Sequence, residues 1–181
     1  GHDPFLPHRP WHITPQGNSY DSAVGGIQPG QEEWPESPAF VRRVLQRHLL
    51  QVGYADRLLG KFMRKLRAAG VWDRALVIVT ADHGVGLRRR ASRRPVTRAD
   101  FAGIGGVPLF VKLPGQRQAA IDDGPARTVD VLPTVAAVTG APRYPGITGT
   151  SLTERRPAVT PSVRNGRRGR LVSLDLATFV R

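Results

Sequence analysis

An aspartate and a histidine stand side by side at Asp82-His83, just after the apolar run Ala75-Leu76-Val77-Ile78-Val79. A carboxylate is a hard oxygen donor and an imidazole a nitrogen donor, and both bind divalent metals. The run is short, unbroken and rich in β-branched residues, which reads as a buried parallel strand. Open α/β sheets build their sites at the C-terminal ends of such strands. Gly84 follows and lets the backbone turn sharply past the pair. The spacing alone leaves a second use open, in which Asp82 caps the next turn and His83 makes an ordinary hydrogen bond.

Other residue types with chemistry are few. His8 lies in Pro7-His8-Arg9-Pro10, and His12 follows four residues later with Pro10 between them. The proline breaks the helix that a zinc-binding histidine pair of that spacing needs. Arg88, Arg89 and Arg90, then Arg93 and Arg94, follow the Asp-His segment. A guanidinium can hold a sulfate or phosphate through two parallel hydrogen bonds; the competing reading is a solvated basic loop. No cysteine is present, which excludes disulfides, thiolate nucleophiles and zinc–thiolate sites within the chain.

The chain has 181 residues, 40% apolar and 23% charged, enough for one domain with a core. Its formal net charge is +13, and all basic residues except Lys61, Lys65 and Lys112 are arginine. Compositional bias accounts for most of these arginines and anion binding for a few. No apolar stretch approaches the ~18 residues that span a bilayer. The start, Gly1-His2-Asp3-Pro4, has neither the basic nor the apolar region of a signal peptide, and no initiating Met, which suggests a fragment or a processed product.

Several elements must carry these groups. Residues 1–36 are Pro- and Gly-rich and read as irregular. Ser37-Pro38 is an N-cap followed by a first-turn proline. From there Val41, Val44, Leu45, Leu49, Val52, Ala55, Leu59, Phe62 and Leu66 recur at helical spacing up to Gly70, a C-terminal stop. Residues 84–106 read as a long Arg-rich loop and Val107 to Lys112 as a second strand. A helix capped by Thr128 or Asp130 runs to Gly140. Residues 141–170 read as a Pro-, Gly- and Arg-rich segment, basic and mobile at 164–170, and Leu171 to Phe179 as one more strand. The order of elements points to a layered α/β fold. The chain divides at 152/153 into a body and a basic tail.

Four segments resemble the sulfatase and phosphoglycerol transferase branch of the alkaline phosphatase superfamily. ALVIVTADHG, residues 75–84, is similar to its strand-and-site segment, and VPLFVKLPG, 107–115, to the strand that follows. RTVDVLPTVAAVTG, 127–140, resembles the helix with an Asp-x-x-Pro-Thr start, and LPHRPW, 6–11, the Pro-His-x-Pro substrate segment. The resemblance implies an α/β/α layered fold with a mostly parallel central sheet. It implies that Asp82 and His83 ligate one divalent metal ion, calcium or manganese first, with magnesium or zinc as alternatives. It implies that His8 contacts the ester anion and assists the leaving group, a role that suits an imidazole. Relatives often bind the anion through a lysine in the loop after the metal segment; no lysine stands there, so Arg88 is the candidate substrate contact. Asp130 matches the family helix as a capping residue.

The family's nucleophile motif, Cys or Ser then x-Pro-x-Arg in sulfatases and Thr in transferases, is not found in this sequence. The chain therefore resembles the C-terminal part of the catalytic domain, and is expected to be inactive by itself. The leading expectation is a sulfate ester hydrolase acting on an anionic small-molecule or glycan ester. A phosphoglycerol- or phosphoethanolamine-type transferase, or a phosphodiesterase, is the alternative, and the Asp-His pair supports it. No histidine follows His83, which favours the single-metal branches over the two-metal phosphatases. A polyanion-binding module and a catalytically dead relative are readings of another class. The scattered charge, without interleaved aromatics, leads us to expect no specific nucleic-acid partner. Membrane contact is expected only through segments outside this chain.

Overall fold

The computed structural model describes residues 33–90, 96–142, 145–154, 162–164 and 171–173. The expectations for His8, for the irregular start and for most of the basic tail lie outside them.

Helix α1 spans Pro38–Ala68. Its start is the one expected: Ser37 Oγ accepts the N–H of Phe40 at 3.3 Å, and Pro38 occupies the first turn, where its missing N–H costs little. Its end is a Schellman motif. Gly70 adopts φ +66°, its N–H reaches Arg67 O at 3.0 Å, and Val71 N–H reaches Leu66 O at 3.0 Å. The apolar stripe is used unevenly. Phe40 and Val44 are buried with Trp34, against Val41, Val85 and Leu87. Leu49, Val52 and Phe62 are each at least 50% exposed within the described structure. An amphipathic face buries only where a second surface meets it, and the described elements meet α1 at its two ends, through Phe40 and Val44 at the first and Arg67 at the last.

A 3-10 turn at Trp72–Arg74 leads into strand β1, Val77–Thr80. Strand β2 is Leu109–Lys112. The two pair antiparallel, with Val79 opposite Phe110 and Ile78 opposite Val111. Among the described residues the expected strand is present but half-buried, and the partner it has there runs antiparallel; no parallel neighbour is seen among them. An apolar β-branched run identifies a strand but says nothing of the direction of its neighbour. Lys112 locks the entrance to this sheet, its ammonium donating to the carbonyls of Trp72, Asp73 and Ala75. Arg67 and Lys112 both lie over the Trp72 ring, at 4.3 and 5.1 Å from its centroid.

The stretch expected as loop contains a short helix α2, Phe101–Gly105. Phe101 and Ile104 are buried with Val96, and Val163 and Val172 pack against them. Those two valines belong to strands β3, Ser162–Arg164, and β4, Leu171–Ser173, which pair antiparallel. The expected strand at 171–179 is thus seen in its first residues, while β3 falls in the segment read as Pro-, Gly- and Arg-rich. Gly103, Gly105 and Gly106 conceal α2 in the sequence, because glycine lowers helix propensity. At Gly105 a Cβ would stand 3.0 Å from Val163 Cγ2, so the missing side chain is what admits β3.

Helix α3, Val131–Thr139, follows a 3-10 turn at Thr128–Asp130 and stops at Gly140 with φ +70°. Asp130 stands at the N-cap position of α3, but its side chain makes no capping bond to that helix, which corrects the expected capping role. Its carboxylate, almost wholly buried, accepts the N–H of Arg127 at 2.8 Å, the Arg127 guanidinium at 3.1 Å and the N–H of Thr150 at 3.0 Å. Thr134 donates to Asp130 O at 2.6 Å and accepts from Leu152 N–H at 2.9 Å. The Asp-x-x-Pro-Thr segment therefore pins residues 149–152 to α3. Gly149, at φ +98°, has no room for a Cβ, which would stand 2.5 Å from Val129 O.

Candidate metal centre

Asp82 and His83 follow the C-terminal end of β1, as the sequence led us to expect, and their side chains turn toward each other. Asp82 Oδ1 accepts the backbone N–H of His83 at 2.9 Å, and Asp82 Oδ2 lies 3.7 Å from His83 Nε2. His83 Nδ1 lies 2.8 Å from Gly84 O. A carbonyl oxygen only accepts, so Nδ1 carries the hydrogen, and in the neutral ring the lone pair is on Nε2. That nitrogen is the one beside the Asp82 carboxylate. A ligating histidine commonly donates its other ring N–H to a backbone carbonyl, which fixes tautomer and ring orientation.

These two donors fit one divalent cation. Metal–ligand bonds of about 2.0–2.6 Å let an ion bridge two atoms 3.7 Å apart. Both side chains are open to solvent, 41% for His83 and 77% for Asp82, so an ion has access. No cluster of three or more His, Asp or Glu occurs among the described residues.

What holds the pair is the segment just after it. Gly84 N–H donates to Ile104 O at 2.8 Å. A Cβ on Gly84 would stand 2.1 Å from Gly103 O, and one on Gly103 would stand 3.2 Å from Val85 O. Gly84 has no positive φ. Its need for glycine is thus one of space against α2, and the expectation of a conformational turn is corrected. Farther along, the Trp34 indole N–H donates to Gly86 O.

Arg88 faces inward through one nitrogen: Nη2 donates to Asp100 Oδ1 and, at 2.9 Å, to Ala99 O. The rest of the guanidinium is at the surface, the side chain being 57% exposed. Arg90, in a left-handed conformation at φ +52°, pairs with Glu36 at 2.5 Å. Asp100 is the residue that sequence reasoning missed. The signal available was the pair Gly84 and Gly103, two glycines facing each other across the loop.

A family model described as Sulfatase matches residues 6–141. The chain belongs to the sulfatase family. The match takes in the Pro-His-x-Pro segment, β1 with its Asp-His pair, β2 and the Asp-x-x-Pro-Thr helix, and membership carries the α/β class with it. Among curated proteins, the chain is 29% identical over 113 residues to Arylsulfatase K of Danio rerio, covering 62% of this chain and 21% of that protein. It is 26% identical over 121 residues to Lipoteichoic acid synthase 1 of Bacillus subtilis, covering 62% of this chain and 19% of the relative. It is 27% identical over 85 residues to Endo-4-O-sulfatase of Bacteroides thetaiotaomicron, 47% of this chain and 16% of the relative. The chain thus spans about a fifth of the length of the curated relatives it matches.

Proposed function

We propose that this chain supplies the metal-site strand and loop of a metal-dependent hydrolase of sulfate esters. The observation that supports this best is the Asp82–His83 pair, with His83 Nε2 facing the carboxylate and Nδ1 held by Gly84 O. Asp82 and His83 would hold one divalent ion, calcium or manganese, which when bound would offset the charge of the ester oxygens. His8, in the Pro-His-x-Pro segment, would contact the ester anion and give a proton to the departing alcohol oxygen. The exposed N–H groups of Arg88 would bind the same anion.

Phosphoryl-type transfer is the second reading. The imidazole in the pair favours it over a pure oxygen cage, as does the similarity to a lipoteichoic acid synthase. Fold alone decides nothing between the two. The test uses the full-length protein with manganese or calcium, on p-nitrophenyl sulfate and bis-p-nitrophenyl phosphate. Faster release from the sulfate, lost in Asp82→Asn and His83→Gln, is the expected result. Faster release from the phosphate diester would establish the second reading. No release from either, with metal present, would overturn both.

A further inference from the structure

We propose that Asp100 is a positioning residue for the Asp82–His83 pair, as one jaw of a two-point clamp between residues 84–88 and 100–104. The proposal rests on the metal-binding reading above and adds to it a residue that makes no contact with the ion.

The clamp begins at a buried charge. Asp100 is 5% exposed. Its Oδ1 receives Arg88 Nη2, and its Oδ2 receives Thr97 Oγ at 2.8 Å. Its own carbonyl accepts Ile104 N–H at 3.0 Å, which forms the first turn of α2. Ile104 O in turn accepts Gly84 N–H at 2.8 Å, and Gly84 O receives His83 Nδ1–H at 2.8 Å. Hydrogen bonds joined by short stretches of backbone thus connect the main-chain carbonyl of Asp100 to the imidazole ring, while its carboxylate holds Arg88 at the far end of the 84–88 segment. The two holds, Arg88 to Asp100 and Gly84 to Ile104, sit at opposite ends of the 84–88 segment. Between them the Gly84–Gly103 approach keeps the two backbones in contact.

An ion pair between the buried Asp100 carboxylate and the half-exposed Arg88 guanidinium adds little to stability by itself. It does fix geometry. The N–H bond to Ile104 holds the 83–84 peptide, and the close approach of Gly103 to Gly84 and Val85 confines the 84–85 peptide that follows, so the Gly84 carbonyl stays aimed at Nδ1 and Nε2 stays beside Asp82. Loss of such an outer hydrogen-bond partner typically weakens metal binding about 10–100-fold.

The test measures the dissociation constant of Mn2+ alone, by calorimetry, on the full-length protein and its variants. Asp100→Asn keeps the size and an acceptor for Arg88 but removes the charge. It is expected to raise the dissociation constant at least tenfold. Thr97→Val, which removes one donor from the same carboxylate, is expected to raise it about threefold and stands in where Asp100→Asn does not fold. Thr134→Val on α3 is the control: it removes a buried hydrogen bond and lowers stability, and manganese binding is expected to stay within twofold. A dissociation constant within twofold of wild type in both Asp100→Asn and Thr97→Val, while His83→Gln abolishes binding, overturns the positioning role alone. An equal loss in Thr134→Val also overturns it, because the effect is then one of general stability. Unchanged binding in His83→Gln overturns the metal site itself, and the clamp's purpose with it.

Discussion

Replacing Gly84 with alanine tests the packing that aims the site. The new Cβ would lie 2.1 Å from Gly103 O, 3.1 Å from Gly103 C and 3.4 Å from Gly106 O. An ordinary carbon–oxygen contact is about 3.3 Å, so the two backbones must part by about 1.2 Å. That movement would stretch the Gly84 N–H to Ile104 O bond, now 2.8 Å, beyond hydrogen-bonding range. Overpacking costs about 1–3 kcal/mol and a lost backbone hydrogen bond about 1 kcal/mol. The stiffer unfolded chain returns about 0.4–1 kcal/mol. The net expectation is a destabilisation of about 1–3.5 kcal/mol, read by urea unfolding. Gly53→Ala is the matched control, since nothing lies within 4 Å of a Cβ there and the position is inside α1. It is expected to stabilise by about 0.5–1 kcal/mol. A Gly84→Ala protein within about 0.5 kcal/mol of wild type would refute the close-packing argument.

The latch on α3 should be sensitive to acid. Burial raises the Asp130 pKa, but the Thr150 N–H, then the Arg127 guanidinium and N–H, outweigh it and hold the carboxyl below its ordinary value. Its stabilisation is therefore complete above the unfolded-state value of about 3.9 and is lost as pH falls through the lower folded value. Asp130→Asn should cost about 1.5–3 kcal/mol at pH 7, and its stability should fall less steeply than wild type below about pH 4; parallel acid-unfolding curves would contradict this. Lys112→Met keeps an unbranched side chain but loses the cation over Trp72 and the donor to the carbonyls of Trp72, Asp73 and Ala75. A loss of about 1–2 kcal/mol in thermal or urea unfolding is expected, and an unchanged midpoint would show those carbonyls to be satisfied by water.

Local chemistry made much of this legible in the sequence. Ser37-Pro38 and Gly70 mark the ends of α1 because caps and stops depend on neighbouring residues alone. The apolar run at 75–79 and the pair after it placed β1 and the candidate ligands for the same reason. What stayed hidden depends on contacts distant in sequence. The antiparallel partnership of β1 and β2, the helix at Phe101–Gly105 and the strand at Ser162–Arg164 are all short, and each is stabilised by its neighbours. Arg88 shows the same limit. A run of arginines reads as a solvated or anion-binding loop, and only the fold reveals that one nitrogen is given to a buried aspartate.

The central claim is that Asp82 and His83 grip one cation together. Anomalous scattering from a manganese-soaked crystal of the full-length protein tests it most directly. The account predicts a peak within about 2.0–2.6 Å of both an Asp82 carboxylate oxygen and His83 Nε2, with Nδ1 still donating to Gly84 O. A peak bound to neither side chain, or a ring turned so that Nδ1 meets the ion, would contradict it.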